Sequence, residues 1–171
     1  MEAWLQSAVD WLLLTFSLPS VGLSAIFMVS LISATLLPMG SEPAVFGYVK
    51  IAADMFWPAV LIATAGNTIG GAISYGMGLG AEKAYENWRE KHPGKSRGKA
   101  GGRWHDTVSR WLHRLGPRAL LLSWLPAVGD PLCAVAGWMN MPFWPSVMYM
   151  AIGKFLRYTT MTAALLWVFP G

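Results

Sequence analysis

The sequence predicts an all-α integral membrane protein, built as an inverted repeat of interfacial helix, re-entrant hairpin and transmembrane helix. Three observations lead there. Of 171 residues, 54% are hydrophobic and only 13% charged, where a soluble domain normally carries about 25% charged residues. Two apolar stretches are broken by the same polar pattern, "LPMGSEP" at Leu37–Pro43 and "LPAVGDP" at Leu125–Pro131. The motifs around those breaks also recur in the same order, so the polypeptide reads as one unit written twice.

Composition bounds the rest. Ten tryptophans, eighteen glycines and ten methionines fit a membrane chain, because glycine and interfacial tryptophan are enriched there. The reading is a single membrane domain over residues 1–171: a first repeat, 1–81, a basic loop, 82–102, and a second repeat, 103–171. The first residues carry acids rather than a basic n-region, so no cleavable signal peptide is expected. Cys133 is the single cysteine, which excludes a disulfide or a cysteine cluster for metal within one chain. No cofactor and no metal are called for.

Charge is distributed unevenly. Ten of the thirteen cations fall between Lys83 and Arg118, and outside that window stand only Lys50, Lys154 and Arg157. "KHPGKSRGKAGGRW" could be read as a nucleic-acid patch. In a membrane chain it reads instead as a loop obeying the positive-inside rule, so residues 82–118 are assigned to the cytoplasm and no nucleic acid is expected as partner. With that loop inside, both termini fall outside.

The elements follow in order. Ala3 to Phe16 sets Trp4, Ala8, Trp11, Leu12 and Thr15 on one helical face, as an interfacial helix would. Val21 to Leu37 and Ala44 to Ala53 are each too short for a bilayer crossing of roughly 20 residues. Joined by "LPMGSEP" they make a re-entrant hairpin. Trp57 to Leu79 is long enough to cross. It holds the Gly66/Gly70 G-x-x-x-G pair, small residues that let helices approach closely, either within one chain or across a homodimer. Thr64, Asn67 and Thr68 share one face that should look inward. Beyond the flexible "HPGKSRGKAGG", Trp104, Val108, Trp111, Leu112 and Leu115 recur at helical spacing opposite Arg103, Asp106, Arg110, His113 and Arg114. That is a basic amphipathic helix for an anionic membrane surface. His105 and His113, eight apart with no third ligand type near them, read as solvated, and His92 in the flexible loop carries no signal. Leu120 to Trp138, broken by "LPAVGDP", is the second hairpin, and Pro145 to Phe169 is a second crossing.

The repeat extends beyond the breaks. "FWPAV" at Phe56–Val60 is matched by "FWPSV" at Phe143–Val147, and ten residues after each phenylalanine come Gly66-Asn67 and Gly153-Lys154. A unit with one crossing inverts its successor, so the halves should be related by a pseudo-two-fold in the membrane plane. Pro43 and Pro131 would be first helical positions, with Glu42 and Asp130 as caps. Both short helices would then start at membrane depth with positive dipole ends toward the centre. The cavity between them, lined by Pro38, Ser41, Pro43, Asn67, Pro126 and Pro131, would suit an anionic group, above all a phosphate. Lys154 and Arg157, three apart on one face, need a partner or a cavity, since each costs about 2.5–3.5 kcal/mol at the bilayer centre. Glu42, Asp130, Lys154 and Arg157 are thus the candidate proton and substrate site. The structural alternative is an ion pair of Arg157 with Asp130 or Glu42 and no transport role. A buried carboxylate favours its protonated form, so Glu42 could carry a proton while an anion occupies the site.

"SATLLPMGSE", "GNTIGG", "LLLSWLPAVGDPLCAVAGWM" and "GKFLRY" resemble the DedA family, also called the SNARE-associated Golgi protein family, and within it the short YqaA-type branch. The resemblance covers most of Ser33 to Met161. It implies a polytopic membrane protein with two opposed re-entrant hairpins. It further implies a role in moving lipids between leaflets, including undecaprenyl phosphate, and in envelope homeostasis that depends on the proton-motive force. The family's hairpin glutamate falls on Glu42. Typical members carry arginines before and after the second hairpin's proline segment. Here Ser123 and Asp130 fall near those places, and Lys154 and Arg157 are the candidates to supply the positive charge.

These features favour a flippase- or scramblase-type carrier of an anionic, phosphate-bearing lipid in a bacterial inner membrane, with proton coupling. The alternatives are a proton-coupled exporter of a small cation or osmolyte, and a non-transporting membrane-homeostasis factor. An enzyme is not expected, because no nucleophile–base pair, metal cluster or phosphatase-like histidine arrangement stands in the apolar segments.

Overall fold

The computed structural model describes residues 19–36, 41–92, 115–125 and 128–169. The described residues are helical throughout, with no strand among them. Five α-helices, α1 (Pro19–Leu36), α2 (Glu42–Ile51), α3 (Phe56–Lys91), α4 (Gly129–Trp138) and α5 (Phe143–Val168), are joined by a 3₁₀ turn at Ala53–Met55 and a 3₁₀ segment at Gly116–Trp124. The expected interfacial helix over Ala3 to Phe16, the linker after His92, the basic amphipathic helix up to Arg114 with His105 and His113, and Pro38 and Pro126 lie outside the described residues.

Each boundary has a local cause. Pro58 and Pro145 sit in the first turns of α3 and α5, where a missing backbone N–H costs nothing because no helical acceptor faces it. α3 stops at Lys91, and Pro93 follows His92, since the residue before a proline is pushed out of the helical region. α4 ends in a Schellman turn. Asn140 adopts φ 53°, Met141 N–H donates to the Ala136 carbonyl at 3.2 Å and Asn140 N–H to that of Gly137 at 2.9 Å. Asparagine tolerates the left-handed conformation this motif demands.

Two helix starts differ from the sequence expectation. α2 has Ser41 as N-cap, so Glu42 is its first residue and Pro43 its second. α4 has Val128 as N-cap, with Asp130 and Pro131 inside its first turn. Neither acid caps its helix, and neither N-cap side chain bonds the backbone. Both carboxylates are drawn to cations on α5 instead. The correction carries the prolines outward: Pro43 and Pro131 are exposed, about 100° around the helix from their acids, and do not line an interior cavity.

α3 is also longer than expected. Its 36 residues span about 54 Å at 1.5 Å per residue, so Glu82 to Lys91, assigned to the loop from charge alone, continues the helix. Ala53–Lys91 is the one described run long and apolar enough to cross a membrane by length and composition. α5 has the length, 26 residues, but Lys154 and Arg157 interrupt its apolarity.

α3 packs against α1, α4 and α5, while α2 packs mainly on α5 and the 3₁₀ segment on α5. Small residues set these distances. A Cβ added at Gly66 would lie 2.6 Å from the Phe27 carbonyl oxygen, and one at Gly70 2.6 Å from Ala34 Cβ, so the G-x-x-x-G pair serves α1 within this chain. On the opposite seam Gly78 meets the Ala134 carbonyl and Gly137 that of Tyr75. Two apolar clusters flank the middle of the bundle: Tyr75, Leu120, Cys133 and Met150 on one side, and Val45, Val49, Val60 and Tyr158 on the other.

These contacts make a paired prediction. Gly78→Ala drives a methyl into the Ala134 backbone and should destabilise the protein by about 1–3 kcal/mol. Gly76→Ala, whose Cβ meets nothing within 4 Å, should leave stability unchanged or raise it by up to about 1 kcal/mol through helix propensity. Thermal unfolding of both variants in detergent compares them directly.

Candidate functional site

Between the two apolar clusters lies a band of buried polar side chains. α5 supplies Lys154, Arg157 and Tyr158, α3 supplies Asn67, and the starts of α2 and α4 supply Ser41, Glu42 and Asp130. Lys154 is 0% and Arg157 2% exposed. Such charges are tolerated away from water only when counter-charges and hydrogen bonds replace the lost solvation.

Lys154 is saturated. Its Nζ donates to Asp130 Oδ1 at 2.9 Å, to the Asn67 backbone carbonyl at 2.8 Å and to Asn67 Oδ1. An ammonium has three protons, and three acceptors take them. Arg157 is not saturated. Its Nε donates to Glu42 Oε1, while Nη1 approaches Asp130 Oδ2 only to 3.8 Å and has no hydrogen-bond partner. A guanidinium N–H buried without an acceptor is uncommon in a folded protein.

A neutral chain runs beside these pairs. Asn67 Nδ2 donates to the Tyr158 hydroxyl at 2.8 Å, and that hydroxyl hydrogen-bonds Ser41 Oγ. Ser41, the residue before Glu42, therefore spends its side chain on α5 rather than on capping α2. Seven residues form a closed circuit: Asp130, Lys154, Asn67, Tyr158, Ser41, Glu42 and Arg157.

The four charged residues singled out from the sequence come together here, as do Ser41 and Asn67. Thr64 and Thr68 are buried with Asn67 on the inner face of α3, although Thr64 spends its hydroxyl on the Val60 carbonyl at 2.7 Å. Pro43 and Pro131 stand outside the site. Tyr158 was missed. A tyrosine in apolar sequence reads as core, and its place in "GKFLRY", directly after Arg157, is the one sequence signal for it. The sequence alone allows either Asp130 or Glu42 as the partner of Arg157. The structure gives Arg157 to Glu42 by hydrogen bond and to Asp130 by proximity, and gives Lys154 to Asp130.

Removing one partner of such a pair should cost more than removing both. Arg157→Gln leaves Glu42 buried without its cation and should destabilise the fold by about 3–5 kcal/mol. The double substitution Arg157→Gln with Glu42→Gln should recover a large part of that loss. Thermal stability of the two variants against the parent protein reads the difference.

A VTT domain matches residues 37–166, well over half of the chain and every residue of the circuit. The chain is 35% identical over 145 residues to the inner membrane protein YqaA of Escherichia coli (strain K12), covering 85% of this chain and 92% of that one. The YqaA of Shigella flexneri matches equally. An uncharacterized protein of Haemophilus influenzae is 35% identical over 147 residues, covering 79% of this chain and 82% of its own. No solved structure matches the chain. A family match over most of the chain, together with 35% identity to YqaA along nearly its whole length, shows that the chain belongs to the VTT-domain family of membrane proteins, the DedA or SNARE-associated group.

Proposed function

We propose that the protein is a flippase- or scramblase-type carrier in the bacterial inner membrane, moving a phosphate-bearing anionic lipid together with a proton. The observation that carries this reading is the unfilled Nη1 of Arg157, a buried cationic donor between the starts of α2 and α4. A phosphate oxygen is the acceptor such a donor fits best, and the short helices add positive dipole ends beside it.

Charge balance then supplies the mechanism. Glu42 and Asp130 against Lys154 and Arg157 sum to zero, which suits an empty site removed from water. A proton on Glu42 loosens its hold on Arg157 and leaves a net charge of plus one. One phosphate diester monoanion, seated on the freed guanidinium, restores neutrality. Proton and lipid thus enter together, and the loaded and empty circuits are both neutral. A small cation as substrate is less well supported, because each acid already holds a protein cation.

The architecture supports the same reading. On this reading α1 with α2, and the 3₁₀ segment with α4, are the two re-entrant hairpins; the members of each pair are in contact. α2 packs chiefly on α5, in the other half, and α4 chiefly on α3. Asn67 and Lys154, which correspond in the sequence repeat, touch, as equivalent positions beside a two-fold axis must. An inverted pair of this kind brings two hairpin tips to one central site and lets that site open to either leaflet.

The deciding experiment is lipid translocation by purified protein in liposomes, comparing labelled phospholipid and labelled polyprenyl phosphate with and without a pH gradient. Wild type should show gradient-dependent flipping of at least one of them. Glu42→Gln should lose that gradient-dependent part by about tenfold or more, which corresponds to about 1.4 kcal/mol of barrier. Equal background rates in both proteins would remove the flippase reading for these lipids.

A further inference from the structure

The circuit joins the start of α2 to the start of α4 by two arms, and the arms differ in quality. The cationic arm runs from Glu42 through Arg157 to Asp130, and its second step is a 3.8 Å approach without a hydrogen bond at Nη1. The other arm, neutral from Ser41 through Tyr158 to Asn67, runs on through Lys154 to Asp130, and every step is a hydrogen bond.

The neutral arm also has a fixed direction. Lys154 can only donate, so the Asn67 amide must turn its oxygen to Lys154 and its NH₂ to Tyr158. A flipped amide would set two donors against each other. Tyr158 then receives a hydrogen bond from Asn67 and directs its own proton to Ser41, with the buried Ser30 of α1 beside the same hydroxyl. The charge on α5 therefore orients a side chain on α3, which orients a hydroxyl serving α2. Tyr158 is 0% and Asn67 1% exposed, so no solvent is at hand to replace a broken link, and a lone buried donor costs about 1–3 kcal/mol.

We propose that Asn67 and Tyr158 are positioning residues that couple the two short-helix starts, so that loosening the start of α2 at Ser41 loosens the start of α4 at Asp130. Asn67 bonds Lys154 directly, and Tyr158 links Asn67 to Ser41, the neighbour of Glu42. The linkage stands apart from the identity of any transported substrate.

The chain carries its own reporter. Cys133, the sole cysteine, lies on α4 one turn beyond Asp130, is fully buried and donates to the Gly129 carbonyl at 3.4 Å. It borders the Lys154 end of the circuit: a Cβ built on Gly71 would sit 3.3 Å from its Sγ and 3.2 Å from Lys154 Nζ. Its rate of labelling by N-ethylmaleimide, in the full chain reconstituted into proteoliposomes, reads how often the start of α4 opens.

Ser41→Ala and Tyr158→Phe should each raise that rate about tenfold, within the range typical of coupled sites. The two combined should raise it no further than either alone, because both cut the same arm. Val45→Ala, which truncates a buried side chain of α2 outside the circuit, should stay within about twofold of wild type. Should Tyr158→Phe not fold, Ser41→Ala against Val45→Ala is sufficient. Unchanged labelling in Ser41→Ala, rates that multiply in the combined variant, or an equal rise in Val45→Ala would each overturn the coupling. Labelling is measured without a lipid gradient, so a failed translocation assay beside an intact linkage would remove the flippase reading alone.

Discussion

Lys154 and Arg157 are the constraint around which the molecule is arranged. They lie three residues apart on one face of α5 and are both buried, in a chain with few charges elsewhere in its apolar segments. Neither can remain there unless carboxylates reach it. α5 cannot supply them, since it contains no acid. They must come from elsewhere in the chain, and a side chain at the start of a short helix is well placed to reach inward. The breaks before α2 and α4 bring Glu42 and Asp130 to α5, and the packing of both halves follows from that requirement.

A buried charge site also needs walls that fit closely, because a gap would admit water and weaken every pair within it. The glycines of α3 close those walls. Gly66 and Gly70 let α1 down onto α3, Gly78 does the same for α4, and Gly71 leaves the room that the ammonium of Lys154 fills. The cost of each glycine to helix propensity, up to about 1 kcal/mol, is offset by close packing over the length of α3. Gly76 and Gly80, whose built Cβ atoms meet nothing within 4 Å, show that the dense glycine spacing serves inner contacts on only part of its turn.

Much of this was legible in the sequence. Periodicity and composition located α1, α3 and α5, and the paired proline–acid breaks located the starts of α2 and α4 within a residue or two. Residue type alone named the four charges, since an ionised group in apolar sequence requires an explanation. Three features were not legible, each for a physical reason. The caps differ because an acid before proline is a good N-cap only when no cation competes for it, and the competitor lies more than a hundred residues away in the case of Glu42 and Arg157. The end of α3 lies later than charge suggests because Glu82–Lys91 is polar enough for a loop, yet carries helix-forming residues that continue an existing helix at little cost. Tyr158 was passed over because a phenol buried in a polar circuit and one buried in a core have the same local sequence.

The two halves are alike in frame and unlike in charge, and the difference is complementary. Aligned on their "FWP" motifs, α5 presents Lys154, Arg157 and Tyr158 where α3 presents Asn67, Gly70 and Gly71. Asn67 gives Lys154 an acceptor and Gly71 gives it room, while the space at Gly70 is taken by α1. Had α3 kept cations at those positions, four positive charges would face two carboxylates, leaving two uncompensated in an interior without water. Glycines at both sets would leave Glu42 and Asp130 without counter-ions. Loading one long helix with charge and the other with space lets two acids, one from each half, converge on the same pair of cations. That convergence leaves Arg157 one bond short, and it is the repeated frame with unequal charge, rather than any single motif, that creates the unfilled donor.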